Sequence, residues 1–182
     1  MNVAGKKVSI VGAAKSGLAA ANYLIKNGAT VFISDIQKED KLKAALITEG
    51  IIDLVKFEAG VHSERILDSD YIILSPGVRS DLPILLKAAQ EGVPVLSEIE
   101  AAYRLSKGKR IAVTGSNGKT TTTTLLSIIC ESHFKEVFLG GNIGIPVMKF
   151  ASQTTENSVQ VLEISSFQLE NISKFKPDIA II

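Results

Sequence analysis

Residues 110–124 read RIAVTGSNGKTTTTT, a short apolar run followed by a glycine-rich turn and a threonine-rich helix start. Glycine, lysine and threonine in this order, between a predicted strand and a predicted helix, are typical of a loop that binds nucleotide phosphates. The common form of that loop, G-x-x-x-x-G-K-[ST], begins with a glycine where this chain has Val113, so Gly115 must serve as the turn residue. The alternative interpretation is a plain glycine turn before a helix.

Each residue type in this loop has a physical role toward a nucleotide. The glycines allow several backbone amides to point at one anion, Lys119 supplies a positive charge for the β- and γ-phosphate oxygens, and Thr120 offers a hydroxyl to Mg²⁺. Thr121 also faces the predicted ligand, whereas the threonines that follow it are typical of a helix start.

The fold class follows from alternation of short β-branched runs with longer amphipathic runs, which predicts parallel sheets covered by helices. The predicted strands are 8–11, 31–34, 54–57, 71–74, 93–96, 110–113, 137–139, 159–162 and 179–182. The predicted helices are 16–26, 38–49, 82–90 and 119–131, the last of them amphipathic with Leu125, Leu126, Ile128 and Ile129 on about one face.

The polar stretch within 97-SEIEAAYRLSKGKR-110 predicts a domain boundary. We expect an α/β chain with a Rossmann-like parallel-sheet domain at 1–97 and the first part of a P-loop-type α/β ATPase domain at 98–182. The chain ends on 177-PDIAII-182, which has the character of a buried strand with no turn after it, so we expect the second domain to be truncated.

Composition excludes several classes of protein. The chain has 182 residues, 46% of them hydrophobic and 21% charged, with a net charge of +1, as in a globular protein with neither a nucleic-acid-binding arm nor a membrane-binding patch. The single cysteine, Cys130, excludes an intramolecular disulfide and favours a reducing compartment. The N-terminal apolar run is too short for a signal peptide, so we expect a cytoplasmic protein. We also expect a monomer.

A second motif, 12-GAAKSG-17, follows the first predicted strand, and Asp35 ends the next one. This arrangement is typical of a Rossmann-type site, where an anion lies near the helix N-terminus and the carboxylate binds a ribose or base. Ala14 replaces the middle glycine of G-x-G-x-x-G, so a plain strand-to-helix turn and a nicotinamide site stay open as alternatives. The turn 75-SPGV-78 follows the predicted strand 71–74, which makes Ser75 and Gly77 candidates for the same sheet edge. The alternative interpretation, a purely structural turn, is the commoner one for Ser-Pro-Gly.

Two further stretches end strands of the second half. Asn142 lies within 140-GGNIG-144, and Glu163 begins 163-EISSFQLE-170. A carboxylate at the end of a buried strand faces the same crevice as Lys119 and Thr120, which predicts a metal ligand. His62 and His133 have no ligand-spaced partner, so both are interpreted as structural.

Together these motifs resemble the Mur ligase family, whose ATP loop reads TG[ST]NGK[ST]T and is shorter between its glycines than the common form. The resemblance implies that the ATP loop consists of Gly115, Ser116, Asn117, Gly118, Lys119, Thr120 and Thr121. It implies that Thr120 and Glu163 bind Mg²⁺ and that Lys119, Glu163 and Asn142 act in catalysis. It implies substrate contacts at Ser16, Asp35, Ile36, Ser75, Gly77, Asn142, Ser165 and Gln168.

The activity that the resemblance implies is an ATP-dependent amide ligase of peptidoglycan precursor synthesis. The expected substrates are UDP-N-acetylmuramoyl-L-alanine, D-glutamate and ATP, joined through an acyl phosphate. The family also uses a histidine, a carbamylated lysine and a C-terminal domain that lie beyond residue 182, so we expect no ligation by residues 1–182 alone. The alternatives are another Mur ligase, a folylpolyglutamate-type ligase, a nicotinamide-binding oxidoreductase domain, or a nucleotide-binding regulatory module.

Overall fold

The computed structural model of the protein describes residues 1–182, and its contacts divide the chain into two compact units, Met1–Glu98 and Ile99–Ile182. The division falls one residue from the predicted boundary. Which ligand each unit binds stays a prediction. No helix combines the length and the apolar composition that crossing a membrane requires.

The first unit is built on a five-stranded parallel sheet with the strand order β3-β2-β1-β4-β5. Its strands are β1 (Lys7–Val11), β2 (Thr30–Asp35), β3 (Lys56–Ala59), β4 (Tyr71–Leu74) and β5 (Val95–Ser97). Its helices are α1 (Lys15–Lys26), α2 (Glu39–Thr48) and α3 (Pro83–Gln90), with short 3₁₀ helices at Ile52–Leu54 and Glu64–Leu67. The chain runs outward from β1 through β2 to β3 and then returns to β4 on the other side of β1, so the order reverses between β1 and β4.

The core of this unit forms because the strands are apolar on both faces, as parallel strands between helices must be. Val8, Ile10 and Val11 of β1 are almost fully buried, as are Ile72 and Ile73 of β4. Helix α1 covers the sheet with its small residues Ala19, Ala20 and Ala21, which allow a close approach of helix to sheet.

The second unit contains a four-stranded parallel sheet with the order β7-β8-β6-β9. Its strands are β6 (Lys109–Val113), β7 (Val137–Gly141), β8 (Val159–Glu163) and β9 (Ile179–Ile181). Its helices are α4 (Glu98–Leu105), which begins at the last residue of the first unit, α5 (Lys119–Glu131) and α6 (Val147–Phe150), with 3₁₀ turns at Ala151–Gln153 and Ser166–Leu169. The predicted α/β class with parallel sheets is confirmed.

Helix α5 differs from the prediction in the face that it buries. The residues turned toward the sheet are Thr123, Ser127 and Cys130, whereas Leu125, Ile128 and Ile129 are more than half exposed. Of the predicted apolar face only Leu126 packs against the core cluster formed by Cys130, Val159 and Val161. Small side chains at the contact let the helix lie close to the sheet, and apolar periodicity alone therefore chose the wrong face.

Strand β9 also differs from its prediction. It ends at Ile181, pairs with β6, and is exposed rather than buried, with Ile179 53% accessible. Its exposure follows from its position, because β9 is three residues long and lies at the edge of the sheet, with a neighbouring strand on one side only.

Candidate functional site

The glycine-rich loop of the second unit connects the carboxyl end of β6 to the N-terminus of α5. Gly115 and Gly118 both adopt positive φ angles, +134° and +75°, which turn the chain sharply before the helix begins at Lys119. The Lys119 ammonium donates to the carbonyl oxygens of Gly115 and Ser116, at 2.8 and 3.3 Å. The predicted lysine therefore lies directly over the predicted loop, where an anion would meet both its charge and the helix N-terminus.

The remaining loop residues divide into exposed and structural ones. Ser116, Asn117, Thr120 and Thr121 are exposed to solvent. Thr123, by contrast, is fully buried and its hydroxyl donates to the Lys119 carbonyl at 2.7 Å, so it belongs to the helix rather than to a ligand site.

Three predicted residues from different elements meet beside this loop. Glu163 ends β8 directly opposite Val113 of β6 and is 2% exposed. Its Oε2 accepts a hydrogen bond from the Thr120 hydroxyl at 2.7 Å, and its Oε1 accepts one from the Asn142 amide at 2.8 Å. The Asn142 backbone N–H also donates to the Glu163 carbonyl at 2.8 Å. The sheet register thus assembles a hydroxyl, a carboxylate and an amide at one carboxyl edge.

The donor set at this edge fits a magnesium ion carried by a nucleotide. Carboxylate and hydroxyl oxygens are ligands that Mg²⁺ accepts, and this ion usually binds one or two protein oxygens together with phosphates and water. The protein has no cluster of three or more His, Cys, Asp or Glu side chains that would form a cage of its own. Glu163 and Thr120 would hold such an ion only in company with a phosphate.

Ser165 and Gln168 lie in the turn after β8 and bind each other. The Ser165 backbone N–H donates to the Gln168 side-chain oxygen at 2.9 Å, which caps the short helix Ser166–Leu169, and both residues are buried. Their predicted role in substrate binding stays a prediction, and their observed role is to fix the backbone that follows Glu163.

In the first unit the predicted residues gather where the strand order reverses, the position at which open α/β sheets bind ligands. The Ser75 hydroxyl, at the end of β4, donates to the Gly12 carbonyl, at the end of β1, at 2.6 Å. Gly77 is exposed and Ser16 is partly buried at the start of α1. This bond joins the turns that follow the two strands.

Asp35 is oriented by the backbone of the same edge. Its Oδ2 accepts a hydrogen bond from the Ala13 N–H at 2.5 Å, and its Oδ1 accepts one from the Gln37 N–H at 2.8 Å. Ile36 follows it with 71% of its surface exposed. A fixed carboxylate next to an exposed apolar side chain suits a nucleoside, which offers both polar groups and a flat apolar face.

Family models match both units. Residues 6–97 match the N-terminal domain of Mur ligases of the MurD-like type, and residues 113–182 match the Mur ligase middle domain. The chain belongs to the Mur ligase family. Its membership accounts for the shortened ATP loop, and the predicted family is confirmed.

Curated Mur ligases that are similar to this chain are longer than it. A UDP-N-acetylmuramoylalanine--D-glutamate ligase of Koribacter versatilis is 47% identical over 186 residues, which cover 100% of this chain and 40% of the relative. The enzyme with the same name from Clostridioides difficile is 41% identical over 183 residues, with 100% and 41% covered. The chain therefore spans about 40% of the length of these relatives.

Solved structures of Mur ligases share the fold. A murein peptide ligase of Psychrobacter arcticus superposes with a TM-score of 0.59 at 19% identity, covering 98% of this chain and 42% of that one. The UDP-N-acetylmuramate-alanine ligase of Thermotoga maritima superposes with a TM-score of 0.51 at 25% identity, covering 88% and 37%.

One polar cluster of this Mur ligase chain is not predicted by the sequence motifs. Ser34 of β2 and Glu58 of β3 are partners in the sheet register, and the Ser34 hydroxyl lies 2.7 Å from both Glu58 Oε1 and His62 Nδ1. Ser63 adds its backbone N–H, 2.8 Å from Glu58 Oε1, and a hydroxyl bond to Oε2. The predicted strand 54–57 ends before Glu58, whereas β3 runs from Lys56 to Ala59, so only the structure brings position 34 next to position 58.

Proposed function

We propose that this chain is the uridine-nucleotide-binding and ATP-binding part of a ligase that adds D-glutamate to UDP-N-acetylmuramoyl-L-alanine in peptidoglycan precursor synthesis. The observation that carries the proposal is the meeting of Thr120, Asn142 and Glu163 beside a loop over which Lys119 lies. The relatives named above, which bear this activity in their names, support the choice among Mur ligases.

The reaction proposed for the longer protein has two steps. A carboxylate oxygen of the alanine attacks the γ-phosphorus of ATP, ADP leaves, and an acyl phosphate forms. The amine of D-glutamate then attacks the acyl carbon, phosphate leaves, and an amide remains.

The residues of the second unit serve the first step. Lys119 would leave the Gly115 and Ser116 carbonyls to donate to phosphate oxygens, which neutralises part of the charge that spreads over the transferred group. Bound Mg²⁺ would supply further neutralisation of the phosphates. Glu163 would orient the Thr120 hydroxyl and the Asn142 amide toward the nucleotide.

The first unit would hold the uridine nucleotide. Asp35 would bind the ribose or the base, Ile36 would lie against the nucleoside, and the turns at Gly12 and Ser75 would border the diphosphate, near the N-terminus of α1. Ser16 and Gly77 complete the proposed pocket.

Calorimetric titration of residues 1–182 tests the proposal with three ligands: UDP-N-acetylmuramoyl-L-alanine, ATP with Mg²⁺, and NAD. We expect the first two to bind and NAD not to bind. Binding of NAD without binding of the uridine nucleotide would favour an oxidoreductase domain instead and would overturn the proposal.

A further inference from the structure

The cluster of Ser34, Glu58, His62 and Ser63 lies at the carboxyl edge of the first sheet, the edge that carries Asp35. A shared hydrogen bond connects the segment that precedes His62 to this edge. The Gly60 N–H donates to both the Asp35 carbonyl, at 2.8 Å, and the Gln37 carbonyl, at 3.0 Å. His62 follows two residues later and is partly buried. The imidazole is therefore a neighbour of the segment that we propose to bind the nucleoside.

The hydrogen bonds fix which nitrogen of His62 carries its proton. The Glu58 carboxylate accepts three hydrogen bonds, from the Ser34 hydroxyl, the Ser63 N–H and the Ser63 hydroxyl. The Ser34 hydroxyl has one proton, and the ionised Glu58 carboxylate is its best acceptor. Ser34 Oγ must then accept from His62, so the neutral ring carries its proton on Nδ1 and presents a lone pair at Nε2.

The charges around the ring keep this arrangement at neutral pH. Burial lowers the pKa of His62, and the nearby Asp35 and Glu58 carboxylates, which raise it, only partly offset that effect. Burial raises the pKa of Glu58, but its bonds to Ser63 and Ser34 and the charge of Arg65 outweigh it, so the net pKa is below the usual value. His62 is thus neutral and Glu58 ionised near pH 7.

We infer that His62 is a further nucleoside-binding residue, whose Nε2 accepts a hydrogen bond from the nucleoside end of the bound nucleotide. The donor is either the uracil N3–H or a ribose hydroxyl, which present the same chemistry to the ring. This inference rests on the proposed uridine-nucleotide site. It adds a residue that favours ligands with a hydrogen-bond donor opposite Nε2 of His62. Ser34 and Glu58 are positioning residues that hold the ring through its other nitrogen.

Two substitutions separate the binding role of His62 from a structural one. His62→Asn keeps an amide N–H close to the position of Nδ1, so the bond to Ser34 is retained, but it has no atom near the position of Nε2. His62→Gln places an amide oxygen close to the position of Nε2 and serves as the conservative rescue. Thermal unfolding of both variants checks that the first unit stays folded.

The probe is UDP-N-acetylglucosamine, whose diphosphate is a diester and does not titrate near neutral pH, with binding to residues 1–182 followed by NMR titration. We expect His62→Asn to weaken binding about 2- to 10-fold, the size of one hydrogen bond, and His62→Gln to recover part of the loss. The 2′-deoxyuridine, 3′-deoxyuridine and N3-methyluridine forms of the probe identify the donor, since the form that lacks it should bind wild type and His62→Asn equally.

The pH dependence adds a readout that a structural role would not produce. Protonation turns Nε2 from an acceptor into a donor, so wild-type affinity should fall as the pH drops through the pKa of His62, which burial holds below the ordinary histidine value of about 6.5. The His62→Asn variant keeps Asp35 and Glu58, and its affinity should stay flat over the same range. Equal affinity and equal pH profiles for wild type and His62→Asn would overturn the inference alone, whereas a wild type that binds no uridine nucleotide would overturn the proposed function with it.

Discussion

Lys119 joins two features that are each weak alone, a positive side chain and a loop of backbone amides. Its ammonium is held by two loop carbonyls, so it stays over the loop at the start of α5. A phosphate that replaces these carbonyls gains a charge-assisted hydrogen bond, worth about 1.5 to 3 kcal/mol. The lysine is thus the residue on which ATP binding by this chain should depend most.

We expect Lys119→Ala to weaken binding of ATP with Mg²⁺ by roughly 10- to 100-fold, because the lost bond has no substitute in the loop. Isothermal titration calorimetry of residues 1–182 measures the change. Lys135→Ala is the matched control, because it removes the same charge from an exposed residue that lies far from the loop. Lys135 precedes β7, at the amino ends of the strands, whereas the loop lies at their carboxyl ends. Equal affinity of the two variants would contradict the role assigned to Lys119.

Local motifs were sufficient to select Lys119, Thr120 and Glu163 as candidate site residues, because each lies at a strand end or helix start that the sequence marks by itself. His62 was interpreted as structural, because the binding role that we propose for it depends on a strand register and on which of its two ring nitrogens carries a proton. Neither quantity is encoded in the residues next to His62. Asn142 lies between these cases, because a glycine-rich loop predicted it but only the sheet register brings it to Glu163.

The contact between β7 and β8 requires glycine at one position. Gly141 is the register partner of Glu163 and has a φ angle of +105°, and a Cβ atom there would come within 2.2 Å of the Glu163 carbonyl oxygen. Any side chain must push β7 away from β8 and shift Glu163. Gly144, in the same turn, has a φ angle of +64° and no atom within 4 Å of an added Cβ.

We expect Gly141→Ala to lower the free energy of unfolding of the second unit by about 3 kcal/mol or more, through backbone displacement and strain. Gly144→Ala should cost only about 1 kcal/mol, the strain of a left-handed alanine. Urea unfolding followed by circular dichroism measures both. Similar losses in the two variants would show that the close approach of Gly141 to Glu163 does not limit this sheet.

Helix α5 shows where element prediction stopped. Its ends were predicted correctly from the glycine turn and the apolar run, but its buried face was not, because Thr123, Ser127 and Cys130 are a poor apolar stripe. Burial there is decided by how close the helix lies to the sheet, which depends on residue size as much as on polarity. Periodicity measures polarity alone, so it predicts burial of Leu125, Ile128 and Ile129, which are exposed.

Helix α4 is attached to the segment before β9 by a buried carboxylate. Glu100, whose side chain is inaccessible to solvent, accepts backbone N–H bonds from Ser173, Lys174 and Phe175 and a bond from the Arg104 guanidinium at 2.6 Å. Burial raises the pKa of Glu100, but these bonds lower it more, so its net pKa lies below the usual value.

A carboxylate whose pKa is lower in the folded state than in the unfolded state stabilises the folded state at any pH above its unfolded-state pKa. This stabilisation is lost as the pH falls through the folded-state pKa. We expect Glu100→Gln to lower the free energy of unfolding by about 3 kcal/mol at pH 7, and the difference from wild type to shrink as the pH approaches 3. Urea unfolding at both pH values measures it. Glu156→Gln, which removes an exposed carboxylate 3.6 Å from Lys107, should change stability by less than about 0.5 kcal/mol at either pH.

The molecule consists of two units, each with a parallel sheet whose carboxyl edge carries a set of predicted ligand residues. In the first unit the set includes Asp35 and Ser75, and in the second it includes Lys119 and Glu163. If each set binds its own nucleotide, each ligand should stabilise its own unit by mass action. A bound ligand at 100 times its dissociation constant contributes about 2.7 kcal/mol, which slows amide exchange through unfolding about 100-fold.

Hydrogen exchange read by mass spectrometry therefore tests the assignment of both nucleotides in one experiment. We expect UDP-N-acetylmuramoyl-L-alanine to slow exchange within Met1–Glu98, and ATP with Mg²⁺ to slow it within Ile99–Ile182. The Lys119→Ala variant is the control, because at 100 times the wild-type dissociation constant its protection by ATP should fall from about 100-fold to about 2- to 10-fold, while its protection by the uridine nucleotide is unchanged. Protection of Met1–Glu98 by ATP, with none in Ile99–Ile182, would mean that the loop beginning at Gly115 is a structural turn and that the first unit is the ATP site.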